Sequence, residues 1–258
     1  MNEENLIKYY NKFNEDKRLK TKHGRVEYLT AMKYIEKYLK KNNNPKILDI
    51  GAGCGAYSIP LSEKGEVTAF ELVKHNLKVI EKNDKDRKIR LIHGNAINLK
   101  KIEDNIFDIV LLFGPMYHLI SMDEKLNALN EAKRVVKKGG LIFISYCMNE
   151  YAVITHGFKD GYILNEKEKL DKDFKIISKD DDLYSYVRLD DINYLKMQSG
   201  LKRVKIISQD GPTEYLKKEI NSMDEDTFNF YLNYHYSICE RKELLGSSRH
   251  ILDILKKM

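Results

Sequence analysis

The residues most able to bind a ligand form a glycine-rich run, DIGAGCG, at 49–55. It follows a short apolar stretch typical of a buried strand and precedes a stretch typical of a helix. Glycines at Gly51 and Gly53 would let the backbone approach a ligand that lies beside the N-terminus of that helix. The spacing predicts a nucleotide or nucleoside site at the end of the first strand, with a merely tight strand-to-helix turn as the alternative.

Two acidic residues restrict the choice of ligand. Glu71 follows the turn by about twenty positions, where a carboxylate can accept hydrogen bonds from a ribose diol. Gly51, Gly53 and Ala56 also fit the G-x-G-x-x-A pattern, so a nicotinamide dinucleotide is the rival ligand. Asp49 favours S-adenosylmethionine (SAM), because its carboxylate would repel a pyrophosphate and attract the sulfonium and ammonium groups of SAM.

Apolar and amphipathic stretches alternate around this run. The apolar stretches predict strands at 47–50, 67–70, 89–92, 107–112 and 141–145. Helical spacing predicts helices at 3–13, 24–40, 74–83 and 123–137, the last ended by the glycines at 139–140. This alternation indicates right-handed crossovers between parallel strands, and therefore a doubly wound α/β fold.

The regular alternation of apolar and amphipathic stretches ends after residue 146. Residues 148–187 are polar and irregular, and we expect a flexible lid there. A helix is expected at 190–199, strands at 204–207 and 250–255, and an aromatic-rich helical stretch at 228–236. We expect the aromatic side chains of that stretch to pack in the core or lid rather than to stack on nucleic-acid bases.

The motifs together resemble one family. Residues 48–55 look like the first motif of class I SAM-dependent methyltransferases, and Glu71 resembles their ribose-binding acid. Residues 93–96 resemble the third motif, with Asn95 where many members have Asp. The strand at 107–110 and the run RVVKKGG at 134–140 resemble the fourth motif and the turn before the fifth strand.

The resemblance implies a Rossmann-like sheet with strand order 3-2-1-4-5-7-6 and an antiparallel seventh strand. The sixth and seventh strands then lie at 201–208 and 250–257. Residues 1–258 form one methyltransferase domain in this interpretation. Its parts are an N-terminal helical cover at 1–44, a SAM-binding core at 45–147, and lid insertions with the last two strands at 148–258.

Three shorter pieces resemble a bacterial subgroup of uncertain substrate. They are EDKRL at 15–19, GPMYHL at 114–119 and LLGSSRH at 244–250. The second piece follows the fourth strand, at the edge of the sheet where ligands of α/β proteins bind.

The resemblance also implies a reaction, the in-line displacement of the SAM methyl group by a small-molecule acceptor. SAM supplies the electrophile, and the protein supplies orientation and desolvation. Glu71 is expected on the ribose, Leu72 against the adenine, and Asn95 with Ala96 at the adenine edge. The cofactor-binding residues implied are Asp49, Gly51, Ala52, Gly53, Glu71, Leu72, Asn95, Ala96 and Phe113.

Tyr117 and His118 are the candidate catalytic residues. A histidine at this edge of the sheet could take a proton from a hydroxyl or amine near neutral pH. The alternative is that both residues only shape the pocket or cap the following helix. Tyr10 and Arg18 are candidate substrate contacts, with an exposed surface position as the alternative.

Composition limits the remaining possibilities. The chain has 258 residues, three widely spaced cysteines and a net charge of +6. This favours a cytoplasmic protein without a disulfide framework or metal site, and the acidic run at 180–182 is expected to be an exposed turn. No apolar run reaches the ~20 residues of a membrane span. The pattern does not indicate an oligomeric state.

Three other functions remain open at this stage. A nucleic-acid methyltransferase is suggested by the charge, but the lysines are scattered, and the run at 114–117 lacks the polar first residue of the usual base-methylating motif. The other two are a SAM-binding protein without enzymatic activity and a nicotinamide oxidoreductase.

Overall fold

One mixed seven-stranded sheet forms the centre of the protein. The structure, a computed structural model, describes residues 3–11, 15–40 and 43–258. The strands are β1 Lys46–Ile50, β2 Glu66–Glu71, β3 Arg90–His93, β4 Phe107–Leu112, β5 Val136–Cys147, β6 Lys202–Ser208 and β7 His250–Lys256. Their order is β3-β2-β1-β4-β5-β7-β6, which confirms the predicted sheet.

The direction of each strand agrees with the prediction. β1 pairs in parallel with β2 and β4, through partners such as Ile50↔Phe70 and Ile50↔Leu112. β7 is antiparallel to both β5 and β6. The carboxyl ends of β1, β2, β3 and β4 therefore meet along one edge of the sheet, and the order reverses between β1 and β4.

Ten α-helices surround the sheet in the described part of the chain. They are α1 Glu3–Tyr10, α2 Glu15–Lys20, α3 Lys22–Leu39, α4 Ser58–Leu61, α5 Lys74–Asn83, α6 Met122–Val135, α7 Asn149–Ala152, α8 Leu189–Ser199, α9 Lys217–Ser222 and α10 Glu225–Ile238. None of the helices described is both long and apolar enough to cross a bilayer.

Burial on both faces of the sheet explains why the sequences of the central strands are continuously apolar. Ile47 and Leu48 of β1 are fully buried on opposite faces of the sheet, because helices cover both faces. α3 covers one face with Ile35, which has no exposed surface, and α6 covers the other with Leu129. This burial leaves β1 a rigid base for the turn that follows it.

One predicted boundary is wrong. The helix expected at 123–137 ends at Val135, and the glycines at 139–140 lie inside β5 rather than after the helix. Val135 and Val136 are both β-branched, and Val136 pairs with Phe107 as the chain turns into the sheet. The pairing of β4 with β5 then shifts register, and Gly139 takes a φ of 84° at that irregularity.

The other predicted helices and strands have bounds close to those in the structure. The helix expected at 3–13 is α1, and 12–13 lie outside the described residues. Segment 148–187 is irregular, as expected, with α7 and a π-helical turn, Val153–Lys159, at its start. The motion predicted for this segment as a lid stays a prediction. The aromatic stretch at 228–236 lies within α10, where Phe228 is fully buried against Val26 as expected, but Phe230 and Tyr234 are exposed.

Candidate active site

A cavity lies at the carboxyl ends of β1, β2, β3 and β4. This is the switch point at which ligands bind in doubly wound sheets. All the predicted site residues except Arg18 line it: Tyr10, Asp49, Gly51, Ala52, Gly53, Glu71, Leu72, Asn95, Ala96, Phe113, Tyr117 and His118. The sequence motifs therefore meet in one place, although they are spread from α1 to the loop after β4.

The turn after β1 requires its glycines. Gly51 has a φ of 74°, and a Cβ there would lie 2.6 Å from Cδ of Pro115. Gly53 has a φ of 54°, but a Cβ there would meet no atom within 4 Å. The first glycine is thus needed for packing against the loop after β4, and the second leaves open space where a ligand can approach the backbone.

Glu71 closes over this turn from the end of β2. Its Oε2 accepts a hydrogen bond from the Gly53 N–H at 2.9 Å, and its Oε1 accepts one from the Val73 N–H at 2.8 Å. Burial raises the pKa of Glu71 above its ordinary value. The two backbone donors hold the carboxylate at the cavity wall, where the sequence predicts a ribose contact.

Asp49 makes the base of the cavity acidic. It is 2% exposed and accepts a hydrogen bond from the Ser58 hydroxyl at 2.6 Å. Burial raises the pKa of Asp49 to about 7, and the nearby charge of Glu71 adds to the rise. No lysine or arginine stands among the described residues that line the cavity. Such a cavity fits a cationic nucleoside without phosphate, as SAM is, and would repel a pyrophosphate.

The third motif lies where helix α1 covers the cavity. Asn95 donates from Nδ2 to Oε1 of Glu3 at 2.6 Å, and its Oδ1 accepts from the Ile97 N–H. Gly94 lies directly under the Phe70 ring, since a Cβ at this position would be 2.3 Å from Cζ. The Asn95 amide therefore joins the α1 cover to the predicted adenine end of the cavity.

His118 is held in one tautomer. Its Nδ1 lies 2.8 Å from the carbonyl oxygen of Leu183, which can only accept, so Nδ1 carries the proton. Its Nε2 lies 2.7 Å from the Tyr10 hydroxyl and accepts from it. Burial lowers the pKa of His118 to about 4. His118 is therefore a neutral imidazole with a basic nitrogen facing the α1 cover.

A buried lysine fixes the loop that carries Tyr117 and His118. Lys125 is 1% exposed and donates to the carbonyl oxygens of Met116 and Leu119 and to the Ser185 hydroxyl. Burial lowers the pKa of Lys125 to about 8. Sequence reasoning missed this residue, because a lysine near a helix start normally reads as exposed.

Arg18 does not line the cavity but supports a residue that does. Its Nη1 donates to Oε2 of Glu27 at 2.7 Å and lies 3.9 Å from Glu214. Glu27 is itself part of the cavity wall. A direct substrate contact by Arg18 stays a prediction. Glu27 was missed, although a carboxylate on the apolar face of a helix is a signal that sequence reading can use.

Glu27 also belongs to a buried ionic cluster. The possible ligand atoms of Glu27, Asp210 and His250 lie within 4.8 Å of one another, a spacing that metal ligands also show. Here these groups bond to one another and to Ser248: His250 Nδ1 lies 2.8 Å from Asp210 Oδ2, and the Ser248 hydroxyl donates to Asp210 Oδ1. With Arg18 on Glu27 as well, the charges in this cluster balance one another.

Comparison with known proteins identifies the family. A family described as "Methyltransferase domain" matches residues 48–144, which span β1 to the middle of β5. A demethylmenaquinone methyltransferase of Bacillus pumilus is 32% identical over 174 residues, which cover 63% of this chain and 71% of that protein. One of Staphylococcus haemolyticus is 31% identical over 193 residues, with coverage of 69% and 77%.

Solved structures share the fold over nearly the whole chain. A SAM-dependent methyltransferase of Thermotoga maritima, described as a possible histamine N-methyltransferase, aligns with a TM-score of 0.60 at 20% identity. The alignment covers 97% of this chain and 98% of that one. The acidic glycine turn, the sheet order and these relatives agree: the chain belongs to the class I SAM-dependent methyltransferases and is an enzyme that transfers the methyl group of SAM to a small-molecule acceptor.

Proposed function

We propose that the acceptor is a phenol or hydroquinone and that His118 takes up its hydroxyl proton. The observation that carries this proposal is the fixed tautomer of His118, because the Leu183 carbonyl leaves Nε2 as a hydrogen-bond acceptor at the cavity wall. A phenolic hydroxyl can replace the Tyr10 hydroxyl, which donates to Nε2 in this structure. Both donors are phenolic hydroxyls, so we assign the acceptor's oxygen to the position of the Tyr10 hydroxyl.

The rest of the cavity wall suits an aromatic acceptor. Phe113 and Tyr57 meet edge to face with ring centroids 4.8 Å apart, and Leu6 and Leu19 contribute apolar surface from the N-terminal helices. A flat apolar ring bound there would lose its water shell, as methyl transfer to a weak nucleophile requires.

The names of the relatives support the same class of acceptor. Demethylmenaquinone is a quinone, and its reduced form carries hydroxyl groups on an aromatic ring. Only the reduced form is a nucleophile, because the quinone itself is poor in electrons. We therefore expect the hydroquinone to react, provided that a reductant keeps it reduced.

SAM, when bound, supplies a methyl group on a positively charged sulfur. On the protein side, Asp49 and Glu71 set the negative charge of the cavity, and Gly53 leaves the backbone open to the ligand. We assign Glu71 to the ribose, Leu72, Asn95 and Ala96 to the adenine, and Asp49 to the cationic end.

The proton step uses the neutral form of His118. A base with a pKa of about 4 is fully neutral at pH 7 and available as an acceptor. As the acceptor's O–H bond weakens, its electron pair attacks the methyl carbon through oxygen or ring carbon, and the S–CH₃ bond breaks. His118 Nε2 receives the proton, and the Nδ1–H bond to Leu183 O steadies the ring while charge develops.

The test is transfer of labelled methyl groups from SAM to short-chain reduced demethylmenaquinone and to 1,4-dihydroxynaphthalene. His118→Ala should lower kcat about 100-fold or more, and the Kd for SAM should stay within about twofold. His75→Ala, on the exposed side of α5, is the matched control and should behave as the wild type. Turnover restricted to amines, or full turnover by His118→Ala, would contradict the proposal.

A further inference from the structure

A polar corner interrupts the apolar wall of the cavity. Glu27 of α3 and Tyr57, just before α4, both line the cavity and are both buried, at 8% exposed each. Neither residue belongs to the cofactor motifs or contacts His118 among the hydrogen bonds of the described residues. Buried polar groups normally have hydrogen-bond partners, so the partners of these two residues show what this corner can bind.

Glu27 is ionised but already has its charge balanced. Arg18 donates to Oε2 at 2.7 Å, and His250 Nδ1 lies 3.3 Å from the same oxygen. Burial alone would raise the pKa of Glu27, but Arg18 and His250 lower it to about 2. Within the described residues no hydrogen bond uses Oε1, so this oxygen keeps its capacity to accept.

Tyr57 presents a hydroxyl without a protein partner. Its OH is buried and makes no hydrogen bond to any residue that the structure describes. The ring is fixed between Phe113, with centroids 4.8 Å apart, and Tyr28, with centroids 5.3 Å apart. A rigid, buried and unpaired hydroxyl at a cavity wall is destabilising unless a ligand or water completes it.

We propose that Glu27 and Tyr57 form a subsite that binds a neutral hydroxyl group of the acceptor. The acceptor's hydroxyl donates to Glu27 Oε1 and accepts from the Tyr57 O–H. An ammonium group is disfavoured here, because Arg18 and His250 already place positive charge on Glu27. This subsite rests on the proposed function in that the cavity must hold the acceptor.

The position of the subsite indicates an acceptor with two oxygen atoms. The Tyr117 ring lies between His118 and the corner formed by Glu27 and Tyr57. Its centroid is 4.8 Å from that of the His118 ring and 6.0 Å from that of the His250 ring, and His250 contacts Glu27. One hydroxyl would then meet His118, and the other would meet Glu27 and Tyr57. A dihydroxy aromatic compound fits both ends, whereas a monophenol fits only one.

The experiment is isothermal titration of 1,4-dihydroxynaphthalene and 1-naphthol into protein saturated with S-adenosylhomocysteine, under a reducing agent. The wild type should bind the dihydroxy compound about tenfold more tightly than the monophenol. Tyr57→Phe should reduce this preference to about twofold or less, with an unchanged or higher Tm because the removed hydroxyl has no partner. Tyr28→Phe removes a neighbouring hydroxyl outside the cavity and should keep the full preference.

Glu27→Gln provides a second measurement and should lower the same preference. A wild type that binds both compounds equally, or a Tyr57→Phe variant that keeps the tenfold preference, would overturn the subsite. Absence of binding by either compound would also overturn it. Failure of the proposed function looks different: the preference would depend on Tyr57 while no methyl group is transferred to either compound.

Discussion

Asp49 offers the sharpest test of how the cavity recognises SAM. Its buried carboxyl has a pKa of about 7, and no lysine or arginine among the described residues lining the cavity balances its charge. A cationic ligand should bind the ionised form and exclude the protonated form. At pH 8 about 90% of Asp49 is ionised and at pH 6 about 10%, so the Kd for SAM should rise about tenfold from pH 8 to pH 6.

Asp49→Asn removes the charge and leaves a side chain that can still accept from Ser58. We expect it to weaken SAM binding at pH 8 by about 10- to 100-fold and to flatten the pH dependence. The assay is isothermal titration at pH 6, 7 and 8. Asp108→Asn, at the opposite end of the sheet where the carboxylate accepts from the Lys46 N–H, is the control and should keep the tenfold change.

The folding stability of the protein without ligand should change with pH in the opposite direction to its affinity for SAM. The folded-state pKa of Asp49 is raised, so the stability that this group contributes is complete below its unfolded pKa near 4 and is lost as pH rises towards 7. Asp49→Asn escapes this loss and should be more stable than wild type at pH 8, by about 1–4 kcal/mol in urea unfolding without ligand.

Wild-type SAM affinity in the Asp49→Asn variant, or a wild-type Kd for SAM that does not depend on pH, would refute the proposed role of the Asp49 charge.

Two further predictions concern the frame of the site. Gly51→Ala should abolish measurable SAM binding, because the new Cβ would collide with Pro115 and the φ of 74° disfavours alanine. Gly246→Ala is the control and should bind SAM as the wild type does, because a Cβ there meets open space. Equal SAM binding by the two variants would contradict the role of Gly51. Lys125→Met should lower the free energy of unfolding by about 2–4 kcal/mol, because the buried Met116 carbonyl loses its donor and the Leu119 carbonyl keeps only the Ser185 hydroxyl. Urea titration checks this against Lys78→Met on the exposed side of α5, and a loss no larger than that of the control would contradict it.

The sequence predicted which residues of the glycine turn and the later motifs line the cavity, because these motifs are local. The glycine turn, Glu71 and the third motif each follow a strand within a few residues, and parallel strands bring their carboxyl ends together without further information. The order of the sheet followed from the family resemblance rather than from the hydrophobic pattern.

The side of the cavity that we propose for the acceptor depends on long-range contacts, which the hydrophobic periodicity does not reveal. Glu27 contacts His250, which lies near the other end of the sequence, and Lys125 donates to Ser185 in the segment expected as a lid. The end of α6 was misjudged for a related reason: β-sheet pairing of Val136 with Phe107 outweighs the helical pattern. Arg18 was expected at the substrate, but its contact with Glu27 could not be read from spacing.

The function depends on whether the acidic cavity after β1 binds SAM, a cation without phosphate. The most direct measurement is isothermal titration of the purified protein with SAM and with NAD under the same conditions at pH 8. The account predicts saturable binding of SAM and none of NAD. Binding of NAD without binding of SAM by the folded protein would contradict it.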